Sequence, residues 1–292
     1  MSEPAPSTLR SRAEALAAPL PDLQAQAERL ARTLLLGGHG RRQAGMGDEF
    51  WQYRPAQMGD SARSIDWRRS AQSDAQFVRE KEWQAAQSVH LWVDRSAAMQ
   101  FASSKDIPSK GARAGLLAMA LSILLMKGGE RVALASLGTP PRIGALQLTR
   151  IAEGLSTIDE VDYGTPDATG FLPHSNAVLM SDFMGPIEAV EEAVSKCADL
   201  GIKGALFQIL DPAEEAFPYQ GRTIFTSMGG AMSHETLRAG DLRDRYRDRL
   251  AERKDRLSTL AQSAGWRFDT HHTDSSAQSA LLWLYAALEG PR

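Results

Sequence analysis

The chain is poor in what would place it outside the cell, in a membrane or on nucleic acid. It has 292 residues and one cysteine, Cys197. That count excludes an intramolecular disulfide and suits a reducing compartment. The longest apolar run, Leu116 to Met126 broken by Ser122, is too short to span a bilayer. Charge of one sign is also missing: 33 basic against 36 acidic residues leave a net −3, so no global field drives the chain onto polyanions. Met1 to Pro6 carry no basic stretch leading into an apolar one, and a cytoplasmic location without membrane insertion is expected. Several enzyme signatures are absent as well. There is no Gly-x-Ser-x-Gly, no phosphate-binding loop ending in Gly-Lys-Ser/Thr and no Cys-x-x-Cys. Cys197 lies on a helix pattern without a basic neighbour and reads as a buried, inert thiol.

What is present alternates. Residues 1–20 are rich in Pro, Ala and Ser and read as a flexible N-terminus. Leu23, Ala27, Leu30 and Leu34 recur at helical spacing from Asp22 to Leu36, before Gly37-Gly38. Residues 39–85 mix Gly, Arg, Asp and Trp around two short predicted strands, Glu49–Arg54 and Gln76–Glu80. From Gln87 onward strands are predicted at 89–93, 131–137, 177–180, 205–210, 223–225 and 266–270. Helices are predicted at 109–127, 146–155, from 186 to before 201, at 234–264 and at 275–288. Such alternation predicts an α/β fold: a mostly parallel sheet with helices on both faces. The long helix carries interleaved Arg and Asp/Glu residues. Pairs such as Asp241/Arg245 and Glu252/Arg256 are expected on a solvated face, not a nucleic-acid interface.

Two strand ends carry the candidate chemistry. Val89–Val93 runs into Asp94-Arg95-Ser96-Ala97-Ala98, and Ala177–Met180 runs into Ser181-Asp182. Acids at the carboxyl ends of parallel strands lie where open α/β sheets bind ligands. If the two strands are neighbours, Asp94, Ser96 and Asp182 converge, a set of hard oxygens suited to Mg²⁺. The plain alternative is that both acids simply cap the helices that follow their strands. Of the histidines, His90 lies inside a strand and reads as packed or hydrogen-bonded. His271 and His272 are adjacent on a strand and so point to opposite faces.

These loops resemble the von Willebrand factor A family, which holds Mg²⁺ in an Asp-x-Ser-x-Ser loop together with a Thr and an Asp from other loops. The resemblance implies Asp94, Ser96 and Asp182 as ligands, with Thr165 as the threonine. Ala98 departs from the pattern by removing one direct ligand. Gly47-Asp48-Glu49-Phe50, Arg54, Gly59-Asp60, Arg63, Ile65-Asp66-Trp67, Ser70-Ala71 and Val78-Arg79-Glu80 sharpen the match. Together with Asp211-Pro212-Ala213-Glu214, Phe217-Pro218 and Gly221, they resemble the family of domain of unknown function 58. That family is similar to a von Willebrand A domain preceded by an added region.

The resemblance implies a Rossmann-like, von Willebrand A-like domain over 87–290, with an N-terminal extension over 21–86 comprising a helix and a small β-containing part. It also implies a non-enzymatic adaptor, with a MoxR-type AAA+ ATPase or that ATPase's client as partner, and a Mg²⁺ or Mn²⁺ ion at a degenerate adhesion site. Physically, Arg54, Asp60, Arg63, Asp66, Trp67, Arg79 and Glu80 make a polar network with one aromatic anchor. It serves either as a structural brace or as a partner surface. The alternative functions are a Mg²⁺- or Mn²⁺-dependent phosphoester hydrolase, which lacks an obvious general base, and a scaffold that has lost its metal.

Overall fold

In the computed structural model the described residues are 27–28, 31, 41–56, 65–71, 76–230 and 233–288; for 41–54 and 79–85 the backbone alone is described. The chain divides into two compact units, Gly38–Gln87 and Met1–Gly37 with Ser88–Arg292.

The smaller unit is built on two antiparallel strands, β1 (Arg41–Pro55) and β2 (Phe77–Ala85). Both run further than the sequence predicts, β1 back to Arg41 and β2 on to Ala85. The register shifts between Gly45 and Phe50 and again between Phe50 and Gln52, irregularities that a short periodic pattern does not reveal. Between the strands lies one turn of helix, α1 (Trp67–Ser70). Asp66 caps it by accepting from the Arg69 amide at 2.9 Å. Ser70 donates its hydroxyl to the Asp66 carbonyl and accepts from the Phe77 amide at 2.9 Å, tying the turn to β2.

The larger unit is centred on a five-stranded sheet ordered β4-β3-β5-β6-β9, every pairing parallel. Its elements in chain order are β3 (Ser88–Val93), α2 (Lys110–Lys127), β4 (Arg131–Leu134), α3 (Ala145–Ser156), β5 (Asn176–Ser181), α4 (Ile187–Asp199), β6 (Lys203–Leu210), α5 (Pro212–Ala216), β7 (Thr223–Thr226), β8 (Ser233–Thr236), α6 (Arg243–Ser263), β9 (Arg267–His272) and α7 (Ala277–Leu288). Alternate residues of each central strand enter opposite cores, as the two-residue period requires. Val89, Leu91, Val93, Val178, Met180, Phe207 and Ile209 meet α2, α3 and α7 on one face, and the helical Ala27 and Ala31 belong to that same core. Ala177, Leu179 and Leu206 meet Val190 and Val194 of α4 and Leu257 and Ala261 of α6 on the other. Helix α2 is apolar almost all round because it is buried almost all round.

Three expectations are corrected. The strand predicted over 131–137 stops at Leu134, and 135–137 form a 3₁₀ turn ended by Gly138 at φ 57°. The helix predicted from His234 begins at Arg243, because 233–236 instead pair with β7 as an antiparallel hairpin. Finally, four basic residues of α6 reach neighbouring elements rather than their own helix. Arg256 bonds Glu191, Lys254 bonds Glu215, and Arg243 and Arg247 donate to the carbonyls of Phe217 and of Glu215 and Ala216. Arg256 thus takes Glu191 in place of Glu252, and among the described residues Arg245 makes no ion pair with Asp241.

Candidate functional site at the carboxyl edge of the sheet

β3 is flanked by β4 on one side and β5 on the other, so the chain leaves it in one direction and returns on the other. The ends of β3 and β5 thus form a topological switch point, and there Asp94 and Ser96 follow one strand while Asp182 follows its neighbour, with Asp94 bonded to Ser96 and Ser181. Asp94 continues β3's pairing through its amide, which donates to the Met180 carbonyl at 2.8 Å. Its Oδ1 accepts from the Ser96 amide at 2.9 Å and its Oδ2 from the Ser181 hydroxyl at 2.6 Å. A neighbouring loop closes over this acid. The amides of Ala97 and Ala98 donate to the carbonyls of Val161 and Asp162, and a Cβ added to Gly164 would stand 2.3 Å from Asp94 Oδ1. Asp94 is 3% exposed and Ser96 fully buried.

Asp182 is organised around a cation that belongs to the protein. Its Oδ1 accepts from the Met184 amide at 2.9 Å, and its Oδ2 is 2.7 Å from Lys110 Nζ. The same ammonium lies 2.6 Å from Glu214 Oε1, and Lys110 is only 1% exposed. Burial opposes the lysine's charge, yet Asp182 and Glu214 outweigh it and hold its pKa above the ordinary range. Glu214 is itself fixed by a capping box at the start of α5. Its Oε2 accepts from the Asp211 amide while Asp211 accepts from Ala213 and, across the fold, from the Ser103 amide. Burial pushes the Glu214 carboxyl up, against the pull of Lys110.

The donor set does not fit a tightly held divalent ion. The Ser96 hydroxyl has no hydrogen-bond partner and is the one uncommitted oxygen. Ala98 offers none, and each oxygen of Asp94 and Asp182 already accepts a bond. The Asp182 carboxylate also carries the Lys110 ammonium. A dication at about 4 Å from that ammonium would be repelled by about 8 kcal/mol at an effective dielectric of about 20. Among the described residues no group of three or more His, Cys, Asp or Glu side chains is arranged to hold a metal. Thr165, next to Gly164, is exposed and lines a hollow with Asp167, Glu192 and Lys196, while Asp94 lines another with Arg95, Gln100 and Ser109.

Of the N-terminal network, Asp60 and Arg63 lie outside the described residues, as do the side chains of Arg54, Arg79 and Glu80. Asp66 acts as a helix cap. Trp67 is 58% exposed, so it anchors no buried face of its unit. The histidines follow the strand logic. His90 stacks on Phe171 at 4.4 Å and accepts from the Leu172 amide, while His271 packs on Phe207 and His272 turns to Glu215. Cys197 is buried, and burial pushes its thiol up to about 12, which leaves it inert. Sequence reasoning missed Lys110. The available signal was a lysine in the first turn of a mostly apolar helix, where its charge opposes the helix dipole.

Two solved structures are similar in outline. BatB from Bacteroides thetaiotaomicron is 14% identical, with a TM-score of 0.39. An aerotolerance-related membrane protein from Bacteroides fragilis is 12% identical, with a TM-score of 0.40. Each alignment covers 70% of this chain and 98% of the other. No curated protein matches the chain in sequence. The family profile described as "Protein of unknown function DUF58" matches residues 52–256, and with more than half its length matched the chain belongs to that family.

Proposed function

We propose that this chain is a non-enzymatic protein-binding module, an adaptor for a MoxR-type AAA+ ATPase or for that ATPase's client, whose sheet edge is held by an internal lysine in place of a Mg²⁺ or Mn²⁺ ion. The observation that carries this reading is the buried Lys110 ammonium shared by Asp182 and Glu214. It supplies the positive charge that neighbouring carboxylates at a strand edge need, and it links β5, α2 and α5 into one rigid platform. A hydrolase would need an open, water-accessible carboxylate beside a general base, whereas Asp94 and Asp182 are 3% and 1% exposed. The choice of ATPase rests on the family resemblance. In this proposal the loops above β3 and β5 present a fixed shape to the partner, and recognition does not pass through a metal bridge.

The test is capture of the tagged protein's partners from its own cell extract, in Mg²⁺ and in EDTA, with identification by mass spectrometry. Recovery of an AAA+ ATPase equally in both buffers is expected. Recovery in Mg²⁺ alone would restore the metal bridge and overturn the lysine's role. Recovery of no specific protein would overturn the adaptor.

A further inference from the structure

Beside the lysine cluster the fold leaves an aromatic groove. A hollow of about 480 Å³ is lined by Phe217, Phe225, His234, Leu242, Tyr246 and, at its polar side, Arg245 and Arg249. The ring of Phe217 stacks on Phe225 at 5.7 Å and lies 4.9 Å from Tyr246. Tyr219 meets both phenylalanines edge-on. Phe217 holds its backbone at φ 46°, in the left-handed region that bulky residues seldom adopt. The conformation is maintained by the bond from its amide to Ala213 and by the arginine on its carbonyl, and it ends α5 with an aromatic ring in the groove.

The two arginines are uncommitted. On α6, Arg243, Arg247, Lys254 and Arg256 all bond to neighbouring elements. Arg245 and Arg249 stand one turn apart on one face. Among the described residues neither makes a hydrogen bond or an ion pair, although acids are plentiful along α6. The groove therefore combines apolar walls with two fork-shaped donors free to take a carboxylate in bidentate fashion. Asp244, Asp248 and Glu252 on the same helix and Asp241 just before it oppose a polyphosphate chain and confine the positive spot to the two guanidinium groups.

We propose that this groove docks a short acidic peptide segment of a partner protein. The segment's aromatic or aliphatic side chain fills the hollow, while an adjacent Asp or Glu pairs with Arg245 and Arg249. The inference rests on the protein-binding reading above and adds to it the chemistry of what is bound.

The experiment is selection of displayed random heptapeptides on the full chain. The most enriched sequence is then titrated as a fluorescent synthetic peptide against the wild type, Arg245→Glu/Arg249→Glu and the milder Arg245→Gln/Arg249→Gln. Thermal melts establish that each variant is folded. Enriched peptides are expected to place Phe, Leu or Trp within two residues of Asp or Glu. Charge reversal is expected to weaken binding at least tenfold, the glutamine variant three- to tenfold, and exchange of the peptide's acid for its amide by a similar factor. Enrichment without acids, no enrichment, or affinity for the charge-reversed variant within twofold of wild type would overturn the proposal. So would preferential binding of a single-stranded oligonucleotide. Equal capture of the ATPase by the wild type and the charge-reversed variant would remove the groove and leave the adaptor standing. Failure to capture an ATPase, with peptide binding intact, would do the reverse.

Discussion

Lys110 is the residue on which the sheet edge depends. Its ammonium balances two carboxylates in a place water barely reaches. Lys110→Met should therefore cost about 3–5 kcal/mol, because it leaves buried charges without a partner. In urea unfolding, Lys110→Met/Asp182→Asn is expected to recover part of that loss, and strict additivity of the two single losses would refute the coupling. Gly164 makes a second, steric point. Its missing side chain lets the 161–165 loop lie against Asp94, so Gly164→Ala forces either the loop or the acid to move. A loss of about 1–3 kcal/mol in the same assay is expected.

Among the elements, α5 matters out of proportion to its five residues. It supplies Glu214 to the lysine, Glu215 to Lys254 and His272, and its last carbonyls to Arg243 and Arg247 of α6. Asp211 starts it from a fully buried position. Asp211→Ala removes the cap and the acceptor for the Ser103 amide together, and a loss of about 2 kcal/mol is expected. The exposed link from Arg256 to Glu191 is different in kind. Arg256→Ala should change stability by less than about 1 kcal/mol, since water competes for both groups. A larger loss in the melting curve would mean that this pair is sheltered.

For the whole molecule, two buried imidazoles set a pH dependence. Burial holds His90 down to about 4, and burial together with the Arg113 guanidinium does the same to His271. Both stay neutral when folded, whereas in the unfolded chain each takes up a proton near pH 6.5. The unfolded state then binds more protons, so stability is complete above about pH 6.5 and falls as pH drops toward 4, by about 3 kcal/mol for each histidine. Chemical denaturation at pH 7 and pH 5 should show this loss, and His90→Gln should flatten its share of the slope. An unchanged midpoint between these pH values would contradict the account. The internal lysine on Asp182 and Glu214 also predicts that millimolar Mg²⁺ leaves the melting temperature where EDTA does.

The sequence by itself determined the alternation of strands and helices, the strand ends at Asp94 and Asp182, and the burial of His90 and Cys197. Each of these is written in local periodicity or in residue type, which act over a few positions. That the two strand ends are neighbours was a further fact, because β3 pairs with β5 and the Ser181 hydroxyl reaches Asp94 across 87 positions of sequence. Only the tertiary structure placed Lys110 on Asp182 and Glu214, turned Arg243, Arg247, Lys254 and Arg256 of α6 to other elements, and converted the start of an expected helix into β8. Those outcomes depend on which distant groups remain unsatisfied once the sheet has closed. Periodicity carries no record of them, because a buried charge takes its partner from whatever the fold brings within reach.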